Sequence, residues 1–165
     1  MQNLFKEYEQ NIKNFIELCQ NKTIVFDFDG TLTKFKYTEN RLLPCRHEDF
    51  LQYVTDGNSI YHKLSIQKTM QYIISQLPKD DVWVLTSSVL PIRKTKTDII
   101  TQHLNISENK ILHSDNDMHK ISILKQLHGK ENKPIIFVED TVYTLIAAED
   151  DLDFVYGYHI SSLLP

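Results

Sequence analysis

The sequence predicts an α/β fold: a doubly wound, Rossmann-like, mostly parallel five-stranded sheet with helices on both faces and a short insertion after the first strand. Three observations predict it. Five short apolar runs recur along the chain, each bounded by turn residues. They read as continuous apolar segments, the pattern of strands buried on both faces. Segments with helical spacing lie between them, and short buried strands alternating with helices require a sheet covered on both sides. At 165 residues the chain fits one domain, 1–165, with a sizeable core.

The elements follow in order. In "NLFKEYEQNIKNFIELCQ", Leu4, Tyr8, Ile12, Phe15, Ile16 and Cys19 recur at helical spacing, which predicts an amphipathic N-terminal helix within 1–20 laid on the core. "TIVFDF" is the first strand. Residues 34–62 then interrupt the alternation: they are mixed in polarity, carry no clean period and far exceed a usual strand-to-helix connection. Phe35, Tyr37, Phe50, Tyr53 and Tyr61 are too many aromatics for a disordered tract, so this segment is expected to be a short cap or flap within the domain. Leu64, Ile66, Met70, Ile73, Ile74 and Leu77 predict the crossover helix, and "DVWVLT" (81–86) the second strand. Pro91 suits a first helical turn, ahead of a helix through Leu104. "KILH" (110–113) is the third strand, and Lys120 to His128 a helix ended by Gly129. "PIIFVED" (134–140), a helix from Thr141 to about Glu149 and "DFVYGYH" (153–159) complete the series.

Composition is that of an ordinary globule: 41% hydrophobic, 24% charged, with few Gly and Pro. A net charge of -4 and a pI near 5.9 argue against a broad sequence-independent grip on nucleic acid. The apolar runs are far too short to span a bilayer, and "MQNLFKEYEQ" is polar where a signal peptide would be basic and then apolar. A cytoplasmic protein without membrane contact is expected. Cys19 and Cys45 are expected to be free thiols, and "CRH" around Cys45 and His47 lacks the spacing of a zinc site.

In doubly wound sheets ligands bind outside the carboxyl ends of the strands, near the switch point where strand order reverses. Asp27 and Asp29 follow the first strand, Thr86 closes the second, and Glu139 and Asp140 close the fourth, so all fall on one edge of the sheet. The one-residue gap sends the Asp27 and Asp29 side chains to the same side of extended chain. Carboxylates gathered this way cannot all stay ionised without a cation, and oxygen-only ligands suit Mg²⁺. Mg²⁺ keeps waters and takes substrate phosphates, which points to a phosphorylated partner.

"DFDGTLT" resembles the DxDGT signature of the phosphatase branch of the haloacid dehalogenase superfamily. "VWVLTSS" resembles the second motif, Lys120 in "HKISILKQL" the third and "IIFVEDT" the fourth, in the family's order across residues 23 to about 158. The resemblance implies a Mg²⁺-dependent phosphomonoester hydrolase. Asp27 would be the nucleophile forming an aspartyl-phosphate, and Asp29 the general acid and then base, its backbone carbonyl also binding metal. Thr86 would bind a phosphoryl oxygen, with Ser87 as its nearest rival, and Lys120 would neutralise the transition state. Lys110, Lys125 and Lys130 lie in the same region. Gly30 and Thr31 would present backbone N–H groups to phosphate, and Asp140 with Glu139 would complete the metal site. The fourth motif departs from the family's commoner form, having Glu-Asp and, four residues on, Thr144 in place of a further acid.

The short insertion implies a capless or minimally capped core with an open site. Lys34, Lys36, Arg41, Arg46 and Lys63 are interleaved with the aromatics, as suits a nucleotide or nucleic-acid end. Four acids reduce residues 34–63 to +1, so other small phosphate esters come first, ahead of nucleotide or nucleic-acid ends and then of a phosphoprotein. Transfer to an acceptor other than water, and a receiver-like phosphate-binding module, are the alternatives; oligomeric state is not legible.

Overall fold

The computed structural model describes residues 2–35 and 64–164. In chain order the elements are α1 (Gln2–Leu18), β1 (Thr23–Phe26), β2 (Thr33–Phe35), β3 (Leu64–Ile66), α2 (Lys68–Gln76) and β4 (Val82–Ser87). They continue with α3 (Leu90–Leu104), β5 (Ile111–Ser114), α4 (Asp117–Glu131), β6 (Ile135–Glu139), α5 (Val142–Asp151) and β7 (Val155–His159). The five predicted strands form one sheet in the order β5-β4-β1-β6-β7, and every pairing in it is parallel.

Strand side chains alternate cleanly between two cores. Ile24, Phe26, Val84 and Val138 face a cluster that includes Phe15 of α1, Ile73 of α2 and Ile100 of α3. Val25, Trp83, Leu85 and Phe137 face the other, with Leu124 of α4 and Leu145 of α5. Both faces being apolar explains why the strand sequences read as unbroken apolar runs. From β1 the chain winds outward through α2, β4, α3 and β5 with its helices on one face. It then returns to the other side of β1 through α4, β6, α5 and β7 with its helices on the opposite face. The strand order reverses between β1 and β6, and doubly wound sheets bind ligands at the carboxyl ends of the strands beside such a reversal.

Two sequence expectations need correction. The crossover helix does not begin near Leu64: Leu64–Ile66 is β3, antiparallel to β2 in a separate two-stranded sheet, and α2 starts at Lys68. Backbone pairing of Thr33 with Ile66 satisfies groups that a longer helix would have bonded internally, and three residues are too few for periodicity to tell strand from helix. Gly129 does not end α4. The helix runs on to Glu131 and is capped by Asn132 at φ 52°, whose N–H donates to the His128 carbonyl; Asn tolerates this left-handed conformation. The expected cap at 34–62 falls, beyond Lys34 and Phe35 of β2, outside the described residues; its two flanks are the paired β2 and β3. Cys19 is buried with a free thiol, and Cys45 lies outside the described residues. No helix among the described residues is long and apolar enough to cross a membrane.

The N-terminal helix is part of the core. Phe15 is fully buried and packs against the Tyr158 ring at 4.9 Å between centroids, while the Tyr8 hydroxyl donates to the Leu163 carbonyl, tying both chain ends together. Phe15→Ala is expected to cost about 3–5 kcal/mol, read as a lowered urea midpoint with an unchanged sheet signature in circular dichroism. A loss below about 1 kcal/mol would show that α1 is an accessory to the fold.

Candidate active site

The turn after β1 is held from several sides. The Asp27 N–H donates to the Val138 carbonyl at 2.8 Å, so Asp27 is still in register with β6 although β1 ends at Phe26. Phe28 is buried in the core, and its carbonyl accepts from the N–H groups of Leu32 and Thr33 and from the Thr33 hydroxyl. Gly30 takes φ 77°, and a Cβ there would stand 2.1 Å from Asp140 Oδ2. Only glycine lets the β6 carboxylate lean on this backbone. Gln67 Nε2, just before α2, reaches the carbonyls of Gly30, Thr31 and Thr33 at 3.3, 3.1 and 3.4 Å. Gln67 carried no signal in the sequence; its position between β3 and α2 gives it the role.

Lys120 sits at the centre. Buried in the first turns of α4, its Nζ donates to Asp27 Oδ1 at 2.8 Å and to Glu139 Oε2 at 2.7 Å, with Asp117 Oδ1 at 3.3 Å. Asn116 caps this helix by accepting from the His119 N–H. Glu139 Oε1 accepts from the N–H groups of Asp140 and Thr141 at 3.1 and 3.3 Å, so both of its oxygens are engaged within the protein. Burial pushes the Asp27 carboxyl up to about 7; Lys120 opposes this, but Glu139 and Asp29 add to it. Burial likewise carries Glu139 up to about 7 against the pull of Lys120. Lys120 itself is pushed upward by the same two carboxylates, which outweigh its burial, so it stays charged.

A second buried lysine serves the other aspartate. Lys96 of α3 forms an ion pair with Asp29 Oδ2 and donates to Thr86 Oγ1 at 2.9 Å and to the Ser87 carbonyl at 2.6 Å. Asp27 and Asp29 thus share a site but not a partner. Ser87 Oγ donates to Asp117 at 2.7 Å and lies 3.1 Å from Ser114 Oγ, which leaves Thr86 as the hydroxyl beside Asp29 and Lys96. Sequence reading missed Lys96 among the neighbouring Arg93 and Lys94. The available signal was its place in the stripe Ile92, Lys96, Ile100, Leu104, which α3 buries. Asp29 Oδ1 and the hydroxyls of Thr31 and Thr144 are buried with no hydrogen-bond partner among the described residues.

The donors fit a hard divalent cation. Oxygens of Asp27, Glu139 and Asp140 lie within 4.8 Å of one another. Each of the three offers one carboxylate oxygen to such a site, and Glu139 in addition accepts from Lys120 and from two backbone N–H groups. Four carboxylates, Asp27, Asp29, Glu139 and Asp140, face two ammonium groups, leaving a formal surplus of two negative charges before the half-exposed Asp117 is counted. A single divalent cation such as Mg²⁺ would offset that surplus.

A carboxyl whose folded pKa is raised holds its proton more tightly in the native chain, so these two groups weaken the metal-free fold as pH rises from about 4 through about 7. A cation reverses this once the protons leave. Mg²⁺ is therefore expected to raise the thermal midpoint little at pH 5.5 and several degrees at pH 8, and Gly30→Ala, which displaces Asp140, to remove the gain. A pH-independent Mg²⁺ shift would contradict this site. No family model matches this sequence, and comparison with curated proteins and with solved structures likewise gives no significant match.

Proposed function

We propose that the chain is a Mg²⁺-dependent phosphomonoester hydrolase acting through an aspartyl-phosphate on Asp27. The observation that carries this reading is a buried carboxylate, Asp27, clamped by a lysine at the carboxyl edge of a parallel sheet, with a second carboxylate, Asp29, and the Thr86 hydroxyl beside it. The order of the motifs, which resembles that of haloacid dehalogenase phosphatases, supports the same chemistry.

The first step begins with Asp29 protonated while its Oδ2 accepts from Lys96: an Asp27 oxygen bonds to phosphorus, the ester O–P bond breaks, and the leaving oxygen takes the Asp29 proton. In the second, Asp29 as carboxylate takes a proton from water, the water oxygen bonds to phosphorus, and the Asp27–phosphorus bond breaks. Aspartate thus returns to its starting state and inorganic phosphate leaves. Lys120, hydrogen-bonded to Asp27 Oδ1, fixes the carboxyl plane and places a permanent positive charge beside the phosphoryl group. Thr86 donates its hydroxyl hydrogen to a phosphoryl oxygen. Gly30 and Thr31 supply the turn whose backbone N–H groups would meet the phosphate. Asp27, Asp140 and the Asp29 carbonyl, with Glu139, would hold Mg²⁺, which would supply charge neutralisation for the dianionic ester. Substrates are phosphate esters of small molecules or of nucleotide and nucleic-acid ends.

Asp27→Asn is expected to abolish p-nitrophenyl phosphate turnover while the fold persists, and EDTA to do the same reversibly with added Mg²⁺. Full activity in either case refutes the assignment. Lys120→Met is expected to lower kcat by about 10²–10³-fold, comparable to loss of one oxyanion donor.

A further inference from the structure

We propose that Lys96 is a positioning residue for phosphoryl transfer, setting both the carboxyl of Asp29 and the hydroxyl of Thr86; this rests on the hydrolase reading above. An ammonium group has three hydrogens and no acceptor. Those of Lys96 meet Asp29 Oδ2, Thr86 Oγ1 at 2.9 Å and the Ser87 carbonyl at 2.6 Å. With all three spent and the residue 1% exposed, Lys96 acts on the substrate through its partners rather than by contact.

Each contact has a chemical consequence. Thr86 Oγ1 accepts from Lys96, which turns its hydroxyl into a donor. In the structure that hydrogen goes to the Ser87 carbonyl at 3.4 Å, a long bond that a phosphoryl oxygen can replace. Asp29 is anchored by Oδ2, while Oδ1 is buried and without a partner among the described residues. The carboxyl is thereby anchored through Oδ2, and Oδ1 is the oxygen that no other described protein group engages.

The register of α3 is itself pinned around Lys96. Arg93 Nε donates to the Ser88 carbonyl at 3.2 Å, and His113 of β5 bridges Thr97 Oγ1 at 2.9 Å and Ser88 Oγ at 3.1 Å. Burial, with Arg93 and Lys96 adding, holds His113 down at about 4, so this bridge stays neutral beside the cation. Lys96 is buried but the Asp29 side chain is 38% exposed, so the pair sits at the rim of the core, and for packing alone an apolar side chain of similar volume in the Ile92–Ile100 stripe would serve. The charge therefore needs a use that packing does not supply.

The readout is the dependence of kcat/KM on the leaving group. p-Nitrophenolate departs without a proton, phenoxide gains from one, and a phenethyl alkoxide requires one. With Lys96→Met, turnover of phenethyl phosphate is expected to fall about 10²-fold or more, as for loss of general-acid catalysis, and that of p-nitrophenyl phosphate about tenfold less. Lys96→Arg is expected to recover part of the alkyl-ester activity. Circular dichroism and thermal unfolding establish that each variant is folded. Equal losses on all three esters in a folded Lys96→Met overturn the assignment and leave the hydrolase reading intact. A wild-type chain inert toward all three overturns the hydrolase reading and this assignment with it. If neither variant folds, Lys96 is a structural element and the assignment falls.

Discussion

Two carboxylates can be buried side by side only against a counter-charge, and the contact of Lys120 with Asp27 and Glu139 supplies it. The end of the central strand, the end of its neighbour β6 and the start of α4 all converge on that one nitrogen. Removing the ammonium would leave two buried acids facing each other, and the carboxyl ends of β1 and β6 would have to separate or take up protons. Glu139 enters this contact through Oε2. Its second oxygen ties down the backbone of Asp140 and Thr141, and so orients the carboxylate that leans on Gly30.

The sheet divides the labour of the two aspartates. Lys120 comes from a helix on one face and Lys96 from a helix on the other, and they serve Asp27 and Asp29 respectively. Phe28, between the two acids, is buried in the same core as α3 and lies 5.9 Å from Lys96 Nζ. The residue that separates the carboxylates also anchors their turn, so the spacing of the motif reflects packing as well as chemistry. Gln67 closes the arrangement from below through three carbonyls of the same turn.

The sheet was legible because its strands are buried on both faces: "TIVF" and "IIFVE" leave no polar alternation to misread, and β-branched residues mark them as strands. Asp27, Asp29, Glu139 and Asp140 could be placed on one edge because parallel strands share an end. Lys120 was reachable through motif order. Lys96 was not, because a lysine in a basic stretch reads as solvated, and only the three-dimensional crossing of α3 over β4 brings it to Asp29. The β2–β3 pair was hidden for a different reason. Three-residue strands carry too little periodicity, and their partners are far apart in sequence, 31 residues for Lys34 and Ser65.

The burial of Cys19 under α1 makes that residue a native probe of opening rates. Burial pushes its thiol up to about 12, so almost no thiolate exists at neutral pH, and its sulfur is shielded in the same cluster as Ile12 and Phe15. Reaction with a thiol reagent must wait for the helix to lift. In a Cys45→Ser background the modification kinetics would report how often the first eighteen residues leave the sheet, a local free energy separate from that of global unfolding.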